Sequence, residues 1–393
     1  MNDALTFFVI AGESSGDRLG ADLMMGLKAE HTEIVNFIGV GGPLMADQGL
    51  KSIFPLDDLS VMGIAEIFPK IRLLLRRIRQ TALAIQSANP SALITIDSPD
   101  FCFRVAKRAR KLMPSLRVIH YVAPSVWAWR PKRAAKMAHF VDHVLALLPF
   151  EPPYMAAEGM SCDFVGHPIT SEPQATPNEV EIFRTELDIN DGSKLLTVLP
   201  GSRKNEVTRL GPIFRDVVEA LRVDDPHLQV VIPSVGARVD QIKHIFKGLD
   251  ITILDPRGQP PNVAEARKRA CYKASDLALA ASGTVSLELA AAQTPMVIAY
   301  QMHWLTAYLK RRLVRVSSAT LVNILTKTQA VPEFLLEECT TDNIYASVKK
   351  LMENPADRNA QLAVSALAIK MLGKNDDAME NKAATSVLNF IKS

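Results

Sequence analysis

Leu5-Thr-Phe-Phe-Val-Ile-Ala-Gly-Glu-Ser-Ser-Gly-Asp17 is an apolar run that ends in a glycine-containing loop, and a helical pattern follows it. An uncharged apolar run bounded by glycine is typical of a buried β-strand. The same order returns at Leu195-Leu-Thr-Val-Leu-Pro-Gly-Ser-Arg-Lys-Asn-Glu206. Two such starts predict two α/β domains, each with a parallel sheet covered by helices.

The length of the chain also favours two domains, because 393 residues exceed what one hydrophobic core usually organises. We predict an N-terminal Rossmann-like domain over residues 1–170, a C-terminal Rossmann-like domain over residues 171–340 and C-terminal helices over residues 341–393. If the two domains face one another, a ligand-binding cleft lies outside the carboxyl ends of both sheets. The predicted strands are Leu5–Ala11, Ile34–Val40, Leu93–Asp97, Arg117–Val122, His143–Leu148, Asp163–Gly166, Leu195–Leu199, Gln229–Pro233, Ile251–Leu254, Leu277–Ala280 and Met296–Tyr300.

The composition argues against several classes of protein. Hydrophobic residues make up 48% and charged residues 22% of the chain, as in ordinary globular proteins, and the net charge of +3 does not indicate a nucleic-acid partner. The four widely spaced cysteines disfavour a zinc site or a disulfide framework and favour a reducing cytosol. The first residues do not resemble a signal peptide, and the uncharged stretch Leu289–Leu309 is too polar for a membrane-spanning helix.

Gly201, Ser202 and Arg203 follow a predicted strand and precede a helix that is predicted to begin near Val207. A helix start offers free backbone N–H groups and a partial positive charge, which attract phosphate. Glycine permits a close approach of the backbone, and arginine can bind two phosphate oxygens. For this loop alone, a tight turn with a helix cap and an exposed arginine is the alternative interpretation.

A second loop of this kind, Ala281-Ser-Gly-Thr284, opens a helix that contains Glu288. The spacing between Thr284 and Glu288 does not fit a capping box, so Glu288 is free to accept hydrogen bonds from ribose hydroxyls. Two such loops in one domain predict a nucleotide diphosphate site. Its predicted residues are Gly201, Ser202, Arg203, Glu206, Ser282, Gly283, Thr284 and Glu288.

Asp97 ends an apolar strand, and Pro99 then turns the chain out of the sheet. A carboxylate in that position can remove a hydroxyl proton when an alcohol attacks a sugar, so Asp97 is the predicted general base; a turn or capping aspartate is the alternative. Asp100 is the predicted N-cap of a helix over 101–112. Because the sequence lacks Asp-x-Asp, a common carboxylate clamp for a divalent ion, we predict no metal.

The first loop, residues 12–17, is neither Gly-x-Gly-x-x-Gly nor a P-loop, which disfavours dehydrogenases and ATPases. For Glu13 and Asp17, a solvated position at a helix N-terminus and a role in substrate binding fit the sequence equally well.

Residues 61–79 combine apolar bulk with five basic residues, which is a pattern suited to an anionic lipid surface. One helical stripe is predicted to face the core instead: Ile71, Leu74, Leu75, Ile78, Ala82 and Ile85. The predicted membrane-binding residues are Met62, Ile64, Ile67, Phe68, Lys70, Arg72, Leu73, Arg76 and Arg77. A second cluster lies between Trp304 and Arg315. A solvated helix face is the alternative for both, and RNA is disfavoured because the aromatic interleaving of stacking modules is missing.

Nine segments of the sequence resemble, in order, the family of lipid-A-disaccharide synthases. The run Tyr121-Val-Ala-Pro-Ser-Val-Trp-Ala-Trp129 is the most specific of the matches. The other matching segments are Ala11–Asp17, Val61–Glu66, Ile96–Phe101, Leu147–Glu151, Gly166–Pro168, Leu199–Arg203, Ala281–Glu288 and Asn323.

This resemblance implies the GT-B fold and an inverting glycosyl transfer without a cofactor. The implied substrates are UDP-2,3-diacylglucosamine and 2,3-diacylglucosamine 1-phosphate, and the products are UDP and a β-1,6 disaccharide 1-phosphate. Asp97 and Glu13 are the expected catalytic residues. The residues expected to bind substrate are Gly12, Ser14, Ser125, Trp127 and Asn323.

Acylated sugars stay in a bilayer, since each buried methylene contributes about 0.8 kcal/mol. We therefore expect a cytoplasmic protein, peripheral on the inner face of the inner membrane, and the sequence is compatible with a homodimer. Two functions of other classes also fit the residues: a UDP-N-acetylglucosamine epimerase of the same fold, and a non-catalytic protein that binds a nucleotide sugar or lipid.

Overall fold

The computed structural model describes residues 5–59, 64–189, 192–301, 318–376, 379 and 381–393, and for residues 64–70 it describes the backbone only. The chain divides into two compact units. Unit 1 comprises Met1–Pro168 and Asn375–Ser393, and unit 2 comprises Ile169–Lys374. The division after Pro168 lies two residues before the predicted boundary at residue 170. The segment 341–393 is not a unit of its own, because it is shared between units 1 and 2.

The strands alternate with helices along both units. The strands are β1 (Leu5–Ala11), β2 (Val35–Val40), β3 (Lys51–Ser52), β4 (Ala92–Ile96), β5 (Val118–Tyr121), β6 (His143–Ala146), β7 (Ser161–Phe164), β8 (Leu195–Leu199), β9 (Gln229–Pro233), β10 (Thr252–Leu254), β11 (Leu277–Ala281), β12 (Met296–Tyr300) and β13 (Glu333–Leu335). The helices are α1 (Ser14–Glu30), α2 (Pro43–Asp47), α3 (Ile64–Ala88), α4 (Pro99–Leu112), α5 (Lys132–Met137), α6 (Pro152–Ala156), α7 (Pro177–Glu186), α8 (Lys204–Asp224), α9 (Val239–Ile245), α10 (Pro261–Ala274), α11 (Val285–Ala291), α12 (Leu321–Thr326), α13 (Thr341–Glu353), α14 (Pro355–Met371) and α15 (Lys382–Lys392).

Unit 1 is built on a parallel sheet in the order β3-β2-β1-β4-β5-β6-β7. Successive side chains of β1 point to opposite faces of this sheet. Phe8 and Ile10 belong to one core, together with buried residues of α3 and α4. Phe7 and Val9 belong to the other core, together with residues of α1 and of the C-terminal helix α15. Both faces of the sheet are therefore covered, which explains why its strands are continuous apolar runs.

Unit 2 repeats this design with a parallel sheet in the order β10-β9-β8-β11-β12-β13. Its main core joins the sheet to α8 and α13. All the predicted strands are present with small shifts at their ends, and the predicted helices after Thr341 are present as well. Strands β3 and β13 were not predicted, because these short edge strands carry no long apolar run. No helix in the described ranges is long and apolar enough to cross a bilayer.

Candidate functional site

A cavity of about 670 Å³ lies in unit 2, and all eight residues predicted to bind a nucleotide diphosphate line it. The topology explains why they meet. Strands β8 and β11 are parallel neighbours, with Leu199 paired to Ala280, so the loops that follow them emerge side by side. The volume falls within the range of roughly 300–1,000 Å³ that is usual for small-molecule sites.

The loop after β8 differs from the prediction in one important respect. Helix α8 begins at Lys204, and Glu206 in its first turn folds back onto the loop that precedes it. One carboxylate oxygen of Glu206 accepts hydrogen bonds from the backbone N–H of Ser202 at 3.2 Å and of Arg203 at 3.1 Å. The N–H groups of Ser202 and Arg203 are therefore not free, because the Glu206 carboxylate accepts from them, whereas those of Lys204 and Asn205 have no acceptor among the described residues.

Arg203 and Gly201 adapt to this arrangement. The Arg203 guanidinium donates to the second oxygen of Glu206 at 2.9 Å, yet the arginine side chain is 81% exposed and lies at the surface of the cavity. Gly201 has φ +118°, and a Cβ on it would lie 2.6 Å from the Cβ of Glu206. Only glycine fits this close approach without strain.

The loop after β11 does offer free donors. The backbone N–H groups of Gly283 and Thr284 have no acceptor among the residues that the structure describes, and a Cβ built on Gly283 would meet open space. The Ser282 hydroxyl donates to the Ala319 carbonyl at 3.3 Å, and Thr284 forms no side-chain cap, as its spacing predicts. This loop can bind an anion through its backbone.

Lys268 on α10 is a residue of the cavity that sequence analysis did not identify. Its Nζ lies 3.2 Å from a carboxylate oxygen of Glu288 and 2.8 Å from one of Glu265. Burial by itself lowers the pKa of Lys268, but these two carboxylates raise it above its usual value. Lys268 thus balances the charge of Glu288 inside the cavity. A lysine within a charged helical run gives no sequence signal of such a role.

In unit 1, several predicted residues lie at the carboxyl edge of the sheet. Strand β1 pairs with β4, Ala11 opposite Ile96, so the loops containing Gly12 and Asp97 are neighbours. A Cβ on Gly12 would lie 2.2 Å from the Cβ and the hydroxyl of Ser98, so only glycine permits this contact. The structure thus brings the first loop and the predicted base together.

Backbone strain is concentrated at this edge. Asp97 and Ser98 both have positive φ, +49° and +40°, and Val122 in the loop after β5 has φ +79°. Such conformations are rare in residues other than glycine, cost about 1–3 kcal/mol each, and cluster at functional sites. The predicted N-cap is wrong: Pro99 begins α4, so Ser98 is the N-cap, and Asp100 is 97% exposed in the first turn.

The two carboxylates of the first loop have different environments. Asp17 is buried, and its oxygens accept from the backbone N–H groups of Gly42 at 2.7 Å, Leu44 at 3.0 Å and Met45 at 3.2 Å. It therefore caps the start of α2. Glu13 and Ser14 are exposed at the start of α1, where Glu13 forms no cap through its side chain.

Trp127 is held by a buried acid that was not predicted to have a role. Its Nε1 donates to Glu151 at 3.1 Å, and the other Glu151 oxygen accepts from the Leu148 N–H at 3.1 Å. Burial raises the pKa of Glu151 to about 7. The bonds of Glu151 to Trp127 and Leu148 join the loops after β5 and β6. Ser125 is exposed in the same loop as Trp127.

Asn323 was expected to bind substrate, but its amide is buried and engaged. Its Nδ2 donates to Glu333 and to the Val331 carbonyl, both at 2.8 Å, and its Oδ1 accepts from the Val331 N–H at 3.0 Å. The amide nitrogen and oxygen are thus both engaged within unit 2, and a direct contact of Asn323 with substrate stays a prediction.

The predicted core stripe of α3 is buried only from Ile78 onward, where α3 packs with α4 on the sheet. Ile71 and Leu75 are 46% and 53% exposed, which contradicts that part of the prediction. Arg72, Arg76 and Arg79 are exposed beside them, and none has an anionic partner in the described part of the chain.

The prediction that Arg77 faces a membrane is also contradicted. Its Nε lies 2.8 Å from the Asp58 carboxylate, and its guanidinium stacks 4.5 Å from the centre of the Phe54 ring. Leu73 is half-buried. The remaining predictions for this surface lie outside the described residues or side chains: Met62, Ile64, Ile67, Phe68, Lys70 and the cluster between Trp304 and Arg315.

Helix α4 adds a second basic row on the same face of the sheet. Its exposed cations recur at helical spacing and lack an anionic partner within the described ranges: Arg104, Lys107, Arg108 and Lys111.

The described residues contain no group of three or more His, Cys, Asp or Glu side chains that could hold a metal ion.

Comparisons with known proteins give a consistent result. Residues 7–387 match the model of a family described as lipid-A-disaccharide synthetase. A lipid-A-disaccharide synthase from Ruegeria pomeroyi is 49% identical over 97% of this chain and 94% of its own. The one from Rhodospirillum centenum is 45% identical over 98% of this chain and 95% of its own.

A solved structure shows the fold. The UDP-N-acetylglucosamine 2-epimerase from Neisseria meningitidis, bound to UDP-GlcNAc, matches with a TM-score of 0.59 over 99% of this chain and 100% of its own. At 12% identity this likeness shows the fold alone, which is GT-B.

Proposed function

The chain belongs to the lipid-A-disaccharide synthase family and is a glycosyltransferase that makes the lipid A disaccharide; on this premise, we propose how its residues carry out the reaction. The donor is UDP-2,3-diacylglucosamine, and the acceptor is 2,3-diacylglucosamine 1-phosphate. The main support for this proposal is that all eight residues predicted to bind the nucleotide line one cavity. An epimerase or a non-catalytic binding protein is not favoured, because the family match covers nearly the whole chain.

We assign the diphosphate to the loops after β8 and β11. The N–H groups of Gly283 and Thr284 donate to its oxygens, and the exposed Arg203 guanidinium adds a charged donor. Glu206 competes for the same place, since its carboxylate caps the neighbouring N–H groups. Binding of the diphosphate therefore displaces the Glu206 carboxylate and releases Arg203 from it.

We assign the ribose hydroxyls to Glu288. A carboxylate can accept a hydrogen bond from each of the two hydroxyls. Lys268 lies 3.2 Å from this carboxylate and orients it. Arg203 and Lys268 supply positive charge to the site, and we assign no divalent ion to the diphosphate.

Asp97 acts as the general base in this proposal. Its carboxylate removes the proton of the acceptor hydroxyl as that oxygen forms a bond to the anomeric carbon. The bond from the anomeric carbon to the diphosphate breaks, and its electron pair leaves with UDP. A single displacement of this kind inverts the anomeric configuration. The strained backbone at Asp97 and Ser98 supports this role.

We further propose that α3 and α4 dock unit 1 on anionic lipid, at the inner face of the inner membrane, where acylated sugars reside. The exposed Ile71 and Leu75 supply apolar contact, and the exposed cations of both helices supply attraction to phosphate headgroups. This surface differs from the predicted one, because Arg77 is not part of it.

The test is to incubate the purified enzyme with both acylated sugars and to measure disaccharide and UDP by mass spectrometry. Asp97→Asn is expected to lower kcat by about 10²–10⁴-fold, which is the usual contribution of a general base. The matched control is Asp100→Asn, the same change at a fully exposed carboxylate, and it should leave kcat nearly unchanged. EDTA should have little effect. Equal rates for the two variants would reject Asp97 as the base, and strong inhibition by EDTA would reject the assignment of charge balance to the protein.

A further inference from the structure

The carboxylate of Glu333, at the start of β13, accepts hydrogen bonds from four donors. One of its carboxylate oxygens accepts from the Thr320 N–H at 3.0 Å, from the Asn323 amide at 2.8 Å and from the Ser318 hydroxyl. The other oxygen accepts from the Ala319 N–H at 2.7 Å. A single carboxylate thus fixes three consecutive residues, which we call the Ser318–Thr320 segment.

Asn323 holds this carboxylate in place from the other side. Its amide bridges Glu333 and both backbone groups of Val331, two residues earlier on the approach to β13. Glu333 is also fixed through its backbone, because it pairs with Ile298 of β12. The carboxylate is therefore attached to the sheet, and the Ser318–Thr320 segment depends on it for its position.

The Ser318–Thr320 segment in turn contacts Ser282, which lines the cavity of unit 2. The Ala319 carbonyl accepts the Ser282 hydroxyl at 3.3 Å, and the Ser282 N–H donates to Ala299 of β12 at 2.9 Å. Ser282 immediately precedes Gly283 and Thr284, whose N–H groups have no acceptor among the described residues. The direction of those two N–H groups therefore depends on how Ser282 is held.

We propose that Glu333 is a positioning residue for the nucleotide site, acting through Ala319 and Ser282, with Asn323 as its support. The inference rests on the proposed assignment of the diphosphate to the Ser282–Thr284 loop. It gives Asn323 an indirect role, which agrees with its buried and fully bonded amide. Both oxygens of Glu333 accept from donors, so a glutamine at this position places its NH₂ group against an N–H and displaces the segment.

The experiment measures the affinity for UDP by titration calorimetry in Glu333→Gln, Ser282→Ala and the double variant. Glu333→Gln is expected to raise the Kd roughly tenfold, about the effect of losing one charged hydrogen bond. The KM for the donor should rise while kcat at saturation changes by less than about threefold. The double variant should bind UDP about as weakly as the weaker single variant, because both changes act on one path.

The matched control is Glu338→Gln, the same change at an exposed glutamate whose side chain forms no bond with the described residues. It should leave the Kd unchanged. A lower melting temperature of Glu333→Gln with an unchanged Kd would show a structural role only and would overturn the inference. Fully additive effects in the double variant would overturn it as well. If Glu333→Gln does not fold, Ser318→Ala replaces it in the same cycle, with an expected rise of about threefold.

Two further variants separate this inference from the proposed nucleotide site. Arg203→Ala and Glu288→Gln should each weaken UDP binding if the cavity is the nucleotide site. If neither does so, the site assignment fails. If both do so and Glu333→Gln binds UDP normally, the role of Glu333 alone is rejected.

Discussion

Among single residues of the proposed nucleotide site, Glu206 is expected to have the largest effect on how the diphosphate binds. Its carboxylate mimics an anion at the start of α8, so it competes with the ligand for the same N–H groups. Glu206→Gln removes this negative charge and retains a neutral acceptor. We predict that UDP binds about three- to tenfold more tightly to the variant, since hydrogen bonds to charged groups are about twice as strong as neutral ones.

Calorimetry measures this change, and Glu219→Gln is the matched control because Glu219 lies on the same helix and pairs with Arg215 outside the cavity lining. Weaker UDP binding by Glu206→Gln would mean that the carboxylate supports the site and is not displaced. The sequence predicted which residues meet in the cavity, but it could not show that Glu206 closes back on its own loop. That contact depends on the rotamer of one side chain, which the spacing of residues does not determine.

At the scale of the element, Glu151 joins the loops after β5 and β6 through Trp127 and Leu148. Burial raises its pKa from 4.5 to about 7, so the folded protein retains a proton that the unfolded chain loses. The stability contribution of this group is full below about pH 4.5 and is lost as the pH rises to about 7. The free energy of unfolding of unit 1 should therefore fall by about 3 kcal/mol over this interval.

Urea denaturation at a series of pH values, monitored by tryptophan fluorescence, measures this loss. In Glu151→Gln the corresponding part of the pH dependence should disappear. An identical pH dependence in the variant and the parent would contradict the assignment of the shift to Glu151. Sequence analysis missed this residue because a glutamate after an apolar run gives no indication that it will be buried.

Helix α3 shows what periodicity can and cannot predict. The apolar stripe identified the face of α3, but it could not show how much of the helix the sheet and α4 cover. Burial begins only at Ile78, so Ile71 and Leu75 are exposed next to exposed cations. Likewise, the pairing of Arg77 with Asp58 joins residues that are distant in sequence and carry no common pattern.

Charge reversal on this surface should weaken binding to vesicles that contain anionic phospholipid. We predict that Arg72→Glu with Arg76→Glu lowers the partition coefficient by about thirtyfold or more, at roughly 1 kcal/mol for each cation lost near the membrane. The same reversal at Arg104 and Lys107 tests the row on α4. Arg77→Glu should destabilise unit 1 instead. Unchanged sedimentation of the α3 double variant with these vesicles would contradict the docking surface.

At the scale of the whole molecule, both sheets were predictable because their strands are covered on both faces and are therefore continuous apolar runs. The return of the chain to unit 1 after Asn375 was not predicted. An amphipathic helix such as α15 shows which of its faces is buried, but its sequence does not indicate which sheet it covers. Two contacts of α15 become apparent only in the folded chain. The Ser386 hydroxyl lies 2.8 Å from the His143 ring, and Arg117 donates to the Ile391 carbonyl at 2.6 Å.

We propose that the cavity of unit 2 holds the nucleotide through backbone N–H groups, Arg203 and Glu288. A crystal structure of the enzyme with UDP tests it most directly. We expect diphosphate oxygens beside the Gly283 and Thr284 N–H groups and Arg203, with Glu206 turned away and the ribose hydroxyls on Glu288. Density for UDP elsewhere, or a diphosphate bound while Glu206 still caps Ser202 and Arg203, would contradict it.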